Sequence, residues 1–81
     1  MRIRKKPDAG LAIRHFRQGA GLSQEGLADR LDVSPSYVSM LESGKRYPSI
    51  EMLIRIARAL EARPGDILDF IAARYRGGEK D

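Results

Sequence analysis

Apolar side chains return at steps of three and four residues in five separate stretches of this chain, the spacing that gives a helix one buried stripe. Ala9, Ala12, Ile13 and Phe16 form the first, with Asp8 placed to cap it and Gly19 and Gly21 to stop it. Gln24, Leu27, Ala28 and Leu31 form the second, opened by Ser23 as N-cap and ended by Asp32. In the third, Ser34 precedes Pro35, a residue that suits a first helical turn because it has no N–H to leave unpaired there and its φ is preset. Val38 and Leu41 then point to one side. Pro48 and Ser49 open a fourth stretch with Ile50, Leu53, Ile56, Ala57 and Leu60 as its expected core stripe. Pro64 and Asp66 open a fifth. Helices are expected at about 9–18, 24–31, 35–43, 49–61 and 65–75, an all-α domain over residues 8–76 between an N-terminal arm at 1–7 and a polar tail at 77–81.

The third stretch has an unusual outward face. Ser36, Tyr37, Ser39 and Met40 lie opposite Val38 and Leu41, where a helix facing solvent would carry Lys and Glu. Short hydroxyls suit close approach to a surface that has its own donors and acceptors, and the base edges of a DNA major groove are such a surface. Two short helices about a tight turn, the second with an exposed polar face, describe a helix-turn-helix.

Here the sequence resembles a family. Gln24, Ala28, Val38 and Leu41, then Glu42-Ser43-Gly44-Lys45 and Pro48-Ser49, are similar to the pattern of the XRE-type, phage lambda repressor and Cro-like, helix-turn-helix family, and the match runs from about Ala9 to Leu68. The resemblance implies a five-helix, lambda-repressor-like DNA-binding domain with Ser36, Tyr37, Ser39 and Met40 reading bases. It also implies that Gln24 clamps a phosphate and that Arg17 pairs with Glu42 to fix the third helix on the scaffold. Two residues depart from the pattern: Asp32 stands where the turn usually has glycine, and Gly26 within the second helix costs about 1 kcal/mol against alanine.

Ser hydroxyls discriminate bases weakly, and the third helix offers no Asn, Gln or Arg for bidentate readout, so Arg46 is expected to read a guanine and DNA shape to supply further specificity. Gln24, Ser34, Ser43, Lys45 and Tyr47 are expected to hold the phosphate backbone. Tyr37 and Met40 are also suited to packing against neighbouring helices. Ile67, Leu68, Phe70, Ile71 and Tyr75 are more apolar surface than one small core needs, so Ile67, Phe70, Ile71 and Tyr75 are expected on a homodimer face. Arg55 and Arg58 are expected on a solvated face.

Composition narrows the alternatives. A chain of 81 residues builds one core and no deep interlobe cleft. No nucleophile–base pair, metal-ligand cluster or phosphate-cradling glycine loop is evident, so an enzyme, a cofactor, a metal or a small-molecule substrate is not expected. His15 is the only histidine and has no cysteine or second histidine to share an ion. The absence of cysteine fits a reducing compartment, and no apolar run reaches membrane length, so a cytoplasmic, nucleoid-associated place in a prokaryote, its phage or its plasmid is expected. Net charge is +4 with pI near 9.9, and Arg2, Arg4, Lys5, Lys6, Arg14, Arg17, Lys45 and Arg46 carry much of the excess. That placement favours double-stranded DNA as partner, with the arm at 1–7 either mobile or ordered on DNA. The reading is a homodimeric regulator, most simply a repressor, on an inverted-repeat operator. Its rival is a module whose fifth helix grips a protein partner, such as a toxin or another regulator, with DNA contact secondary.

Overall fold

The computed structural model describes residues 6–75. Arg2, Arg4, Lys5 and the tail at 77–81 lie outside that range. Among the described residues there are five helices and no strand: α1 (Ala9–Gly19), α2 (Gln24–Leu31), α3 (Pro35–Ser43), α4 (Ile50–Ala59) and α5 (Pro64–Arg74). Each start except that of α5 is fixed by a side chain accepting a first-turn N–H. Asp8 accepts from Leu11, Ser23 from Gly26, Ser34 from Tyr37 and Ser49 from Met52, at 2.9 to 3.1 Å. Arg63 precedes α5 without such a bond, and Pro64 supplies the preset φ instead.

Three of the helix ends share one device, a left-handed residue followed by an apolar one whose N–H reaches back five residues. Gly21, Asp32 and Glu61 take φ of 74°, 60° and 57°. Leu22, Val33 and Ala62 then donate to the carbonyls of Arg17, Ala28 and Ala57 at 3.1, 3.0 and 2.8 Å. Glycine takes this conformation freely and aspartate tolerates it, so Asp32 serves in the turn without breaking the motif. Glu61 has neither advantage. Its left-handed backbone stops α4 at Ala59, short of residue 61 where periodicity predicts the end.

Two clusters make the core. Ile13, Leu27, Ala28, Leu31, Val38, Leu41, Ile56 and Leu60 bury together where α1, α2, α3 and α4 meet. Ala9, Ala12, Ala57, Ile67 and Ile71 seal α5 against α1 and α4. Ile67 and Ile71 are therefore inside the protomer, at 1% and 7% exposure, and not on an outward dimer face. They sit four residues apart on the stripe that meets the small alanines of α1 and α4, which is why α5 packs closely there. Phe70 is covered by the molecule itself: His15 stacks on it at 4.5 Å, Phe16 meets it edge-on at 5.8 Å and the Arg74 guanidinium lies 3.7 Å from its ring centre. Tyr75 is half-buried beside a groove that Tyr47 also lines.

The apolar groups left outside are others. Ile50, expected in the α4 core stripe, is 69% exposed, and Leu68 is 50% exposed. Together with Leu53, Ile54, Pro64 and the buried Ile67 they line a small apolar groove of about 140 Å³ between α4 and α5.

Arginines tie α2 to α4 from both sides. Arg30 Nη1 donates to the Ala59 carbonyl at the end of α4, and Arg55 Nη2 donates to the Leu31 carbonyl at the end of α2, at 2.8 and 2.6 Å. Each charge sits on the negative end of the other helix. Arg55 is exposed, as is Arg58, and its guanidinium in addition caps a helix terminus.

Candidate nucleic-acid interface

Helix α3 is short and amphipathic in a particular way. Val38, Leu41 and Glu42 are buried, Tyr37 and Met40 are half-buried, and Ser36, Ser39 and Ser43 are exposed. The Ser36 and Ser39 hydroxyls make no side-chain hydrogen bond among the described residues, so both keep a donor and an acceptor for a partner. Ser43 instead donates to the Met40 carbonyl at 3.3 Å. Ser34 accepts the Tyr37 N–H at 3.1 Å, which leaves its hydroxyl proton for a phosphate.

What holds this helix is an ion pair behind it. Arg17 Nε and Nη2 approach Glu42 Oε2 and Oε1 at 2.6 and 3.0 Å, a two-point fork. The same guanidinium uses Nη1 on the Leu22 carbonyl at 2.8 Å, so one arginine joins the end of α1, the start of α2 and the end of α3. Burial alone would push the Glu42 carboxyl up. Hydrogen bonds from Arg17 and Gln24, with the Arg17 charge and Arg14, outweigh it and hold the group below the ordinary glutamate value. Arg17 is correspondingly raised, chiefly by its hydrogen bond to Glu42 against the opposing effect of burial.

Gln24 stands at the first position of α2, but its amide Nε2 donates to Glu42 Oε1 at 3.0 Å. That primary amide has a second N–H, which is left for a phosphate at the start of α2. An anion there would meet it together with the first-turn N–H groups and the helix dipole.

Beyond α3 the chain turns at Gly44, where φ is 87°. Lys45 and Arg46 are exposed there, and the Arg46 guanidinium lies 5.5 Å from the centre of the Tyr37 ring. The aromatic face limits where that guanidinium can go, and the helix carrying Tyr37 is itself fixed. Tyr47, expected at the phosphate backbone, makes a contact within the molecule. Its phenol donates to the Pro7 carbonyl at 2.9 Å, with Lys6 Nζ 5.1 Å from its ring centre. With its proton so placed, Tyr47 ties the root of the arm to the loop after α3. Desolvation, then the charges of Asp8 and Tyr75, raises its pKa, the direction that favours the protonated phenol.

Two residues of this site escaped the periodicity. Gly10 has no side chain where α1 crosses the last turn of α3: a Cβ there would collide with the Glu42 carbonyl and lie 2.7 Å from the Leu41 carbonyl oxygen. Arg14, one turn before Arg17, reaches Glu42 Oε1 at 3.4 Å. The signal for Arg14 was present in its three-residue spacing from Arg17.

A paired-helix scaffold that braces a hydroxyl-bearing helix from behind and flanks it with free cations is that of a DNA-binding helix-turn-helix domain. Comparison with known proteins agrees. A helix-turn-helix family model matches residues 13–67. An uncharacterised HTH-type transcriptional regulator of Archaeoglobus fulgidus is 40% identical over 58 residues, 72% of this chain and 83% of that protein. Control protein C.BamHI of Bacillus amyloliquefaciens is 37% identical over 62 residues, 75% of this chain and 76% of that protein. Among solved structures, the clp gene regulator ClgR of C. glutamicum superposes with a TM-score of 0.78 at 37% identity, covering 83% of this chain and 87% of that one. The chain belongs to the XRE-type helix-turn-helix family of DNA-binding transcriptional regulators, and it is not an enzyme. No described helix is long and apolar enough to cross a membrane.

Proposed function

We propose that this protein is a sequence-specific regulator that binds double-stranded DNA as a homodimer, on an inverted repeat, with α3 in the major groove, and that it represses by occluding a promoter within the nucleoid-containing cytoplasm. The observation that carries the reading is the free Ser36–Ser39 hydroxyl face on a helix braced by Arg17 and Glu42. Ser36, Ser39 and the half-buried Met40 meet base edges; Arg46, steadied over Tyr37, takes a guanine; Lys45 and the Ser34 hydroxyl take phosphates. Selection of bound duplexes from a random pool tests it directly. An inverted repeat is expected, with Ser39→Ala changing the selected sequence and Lys45→Ala weakening every sequence alike. Selection of unrelated duplexes, or a Ser39→Ala variant that keeps the same consensus, would remove α3 from the reading role.

The dimer face is better assigned to the exposed Ile50 and Leu68, with the half-buried Ile54 between them in the same groove, than to the buried Ile67 and Ile71. Leu68→Glu is expected to shift the protein to monomer in sedimentation and to weaken two-half-site DNA about 100-fold, with single half-site binding unchanged. The same groove supports the rival, a different protein as occupant of the α4–α5 face. A wild-type protein that sediments as a monomer at every concentration would favour it.

A further inference from the structure

Glu42 receives more donors than a carboxylate of its charge requires. Oε2 is met by Arg17 Nε at 2.6 Å, while Oε1 is met by three groups: Arg17 Nη2 and Gln24 Nε2, each at 3.0 Å, and Arg14 Nε at 3.4 Å. An oxygen of this kind has two lone-pair directions, so the third and longest contact is in excess. The side chains differ in the same order. Arg17 is 10% exposed and Arg14 is 49% exposed.

The charges do not balance either. One arginine neutralises Glu42 and the second is in excess of it, with the exposed Glu25 carboxylate the other charge in the first turn of α2. Arg14 and Gln24 share one acceptor, Glu42 Oε1, at 3.4 and 3.0 Å, so the Arg14 guanidinium is held on the same carboxylate as the residue that opens α2. The first turn of α2 is the positive end of a helix dipole, which attracts anions. Among the described residues, Arg14 commits only its Nε, and the two terminal amino groups with their four N–H bonds have no partner.

We infer that Arg14 is a phosphate contact, resting on Glu42 in the free protein and transferring its guanidinium to the DNA backbone beside the start of α2. The inference depends on the DNA-binding reading above. Transfer leaves Glu42 with the Arg17 fork and the Gln24 amide, so the brace behind α3 survives the exchange. It also adds a charged donor at the start of α2, beside the second N–H of the Gln24 amide whose first is bonded to Glu42.

The test compares Arg14→Ala and Arg14→Lys with the wild type in thermal unfolding and in duplex binding across a salt series. Arg14→Ala is expected to keep the thermal midpoint close to that of the wild type and to bind about 5- to 10-fold more weakly at low salt. Its slope of log K against log salt should be shallower by about 0.9, one phosphate contact. Arg14→Lys should recover most of the slope, and the consensus selected by Arg14→Ala should be that of the wild type. An unchanged slope in Arg14→Ala, whatever its thermal midpoint, overturns the inference while leaving the DNA-binding reading intact. Wild-type protein that binds no duplex at any salt overturns both.

Discussion

Replacing Glu42 with alanine is expected to destabilise the fold by about 3–5 kcal/mol, because it strands a buried guanidinium that loses both limbs of its fork. In a small domain this is a large share of the whole. Urea unfolding at neutral pH measures it, and a loss under about 1 kcal/mol would show that the pair behaves as an exposed one. Acidity reads the same pair. The Glu42 carboxyl is held below its ordinary value of 4.5 in the folded state, so the stability it lends is complete above that value and drains away as pH falls from there through the folded-state value. Glu42→Gln is expected to cost less than alanine and to flatten this part of the acid dependence. A Glu42→Gln protein with the acid profile of the wild type would place the depressed carboxyl elsewhere.

Gly10→Ala is expected to cost about 2–3 kcal/mol, although alanine is the better helix former. The added methyl would meet the Glu42 and Leu41 carbonyls, which are backbone and have no rotamer to yield. The strain is relieved only by moving α1 away from the last turn of α3, the helix proposed to enter the major groove. Affinity should therefore fall even at temperatures where the variant is fully folded. Gly19→Ala is the control: a methyl there has nothing within 4 Å, and it is expected to be neutral or mildly stabilising in the same denaturant series. Equal midpoints for the two variants would mean that the close crossing of α1 and α3 is not under constraint.

Much of the architecture was readable because its signals are local. Asp8, Ser23, Ser34 and Ser49 each cap a turn three residues on, and such bonds are written in adjacent letters. Arg17 with Glu42 was reached through family resemblance, since nothing in their separate neighbourhoods points across the fold. Other contacts were hidden for that reason. Tyr47 meets Pro7, Arg55 meets Leu31 and Gly10 meets the last turn of α3 only after the helices have packed. Gly10 drew no reading from its neighbours in sequence, and a Cβ there would meet the Glu42 and Leu41 carbonyls. Helical spacing gave the sides of α5 but not their partners, so Ile67 and Ile71 were drawn outward when the alanines of α1 and α4 had room for them. Ile50 erred in the opposite sense. It lies at the first turn of α4, where the stripe has already run past the edge of the core.

The crossed arginines of α2 and α4 bear on how a pair of these molecules would measure DNA. With Arg30 and Arg55 each fastened to the end of the opposite helix, relative rotation of α2 and α4 breaks two hydrogen bonds to helix-end carbonyls. A dimer built on the proposed joint would then behave as a stiff caliper: inserting a single base pair between the half-sites both lengthens the gap and rotates one recognition sequence by about 36°, at about 10 base pairs per turn, and following it would strain those bonds.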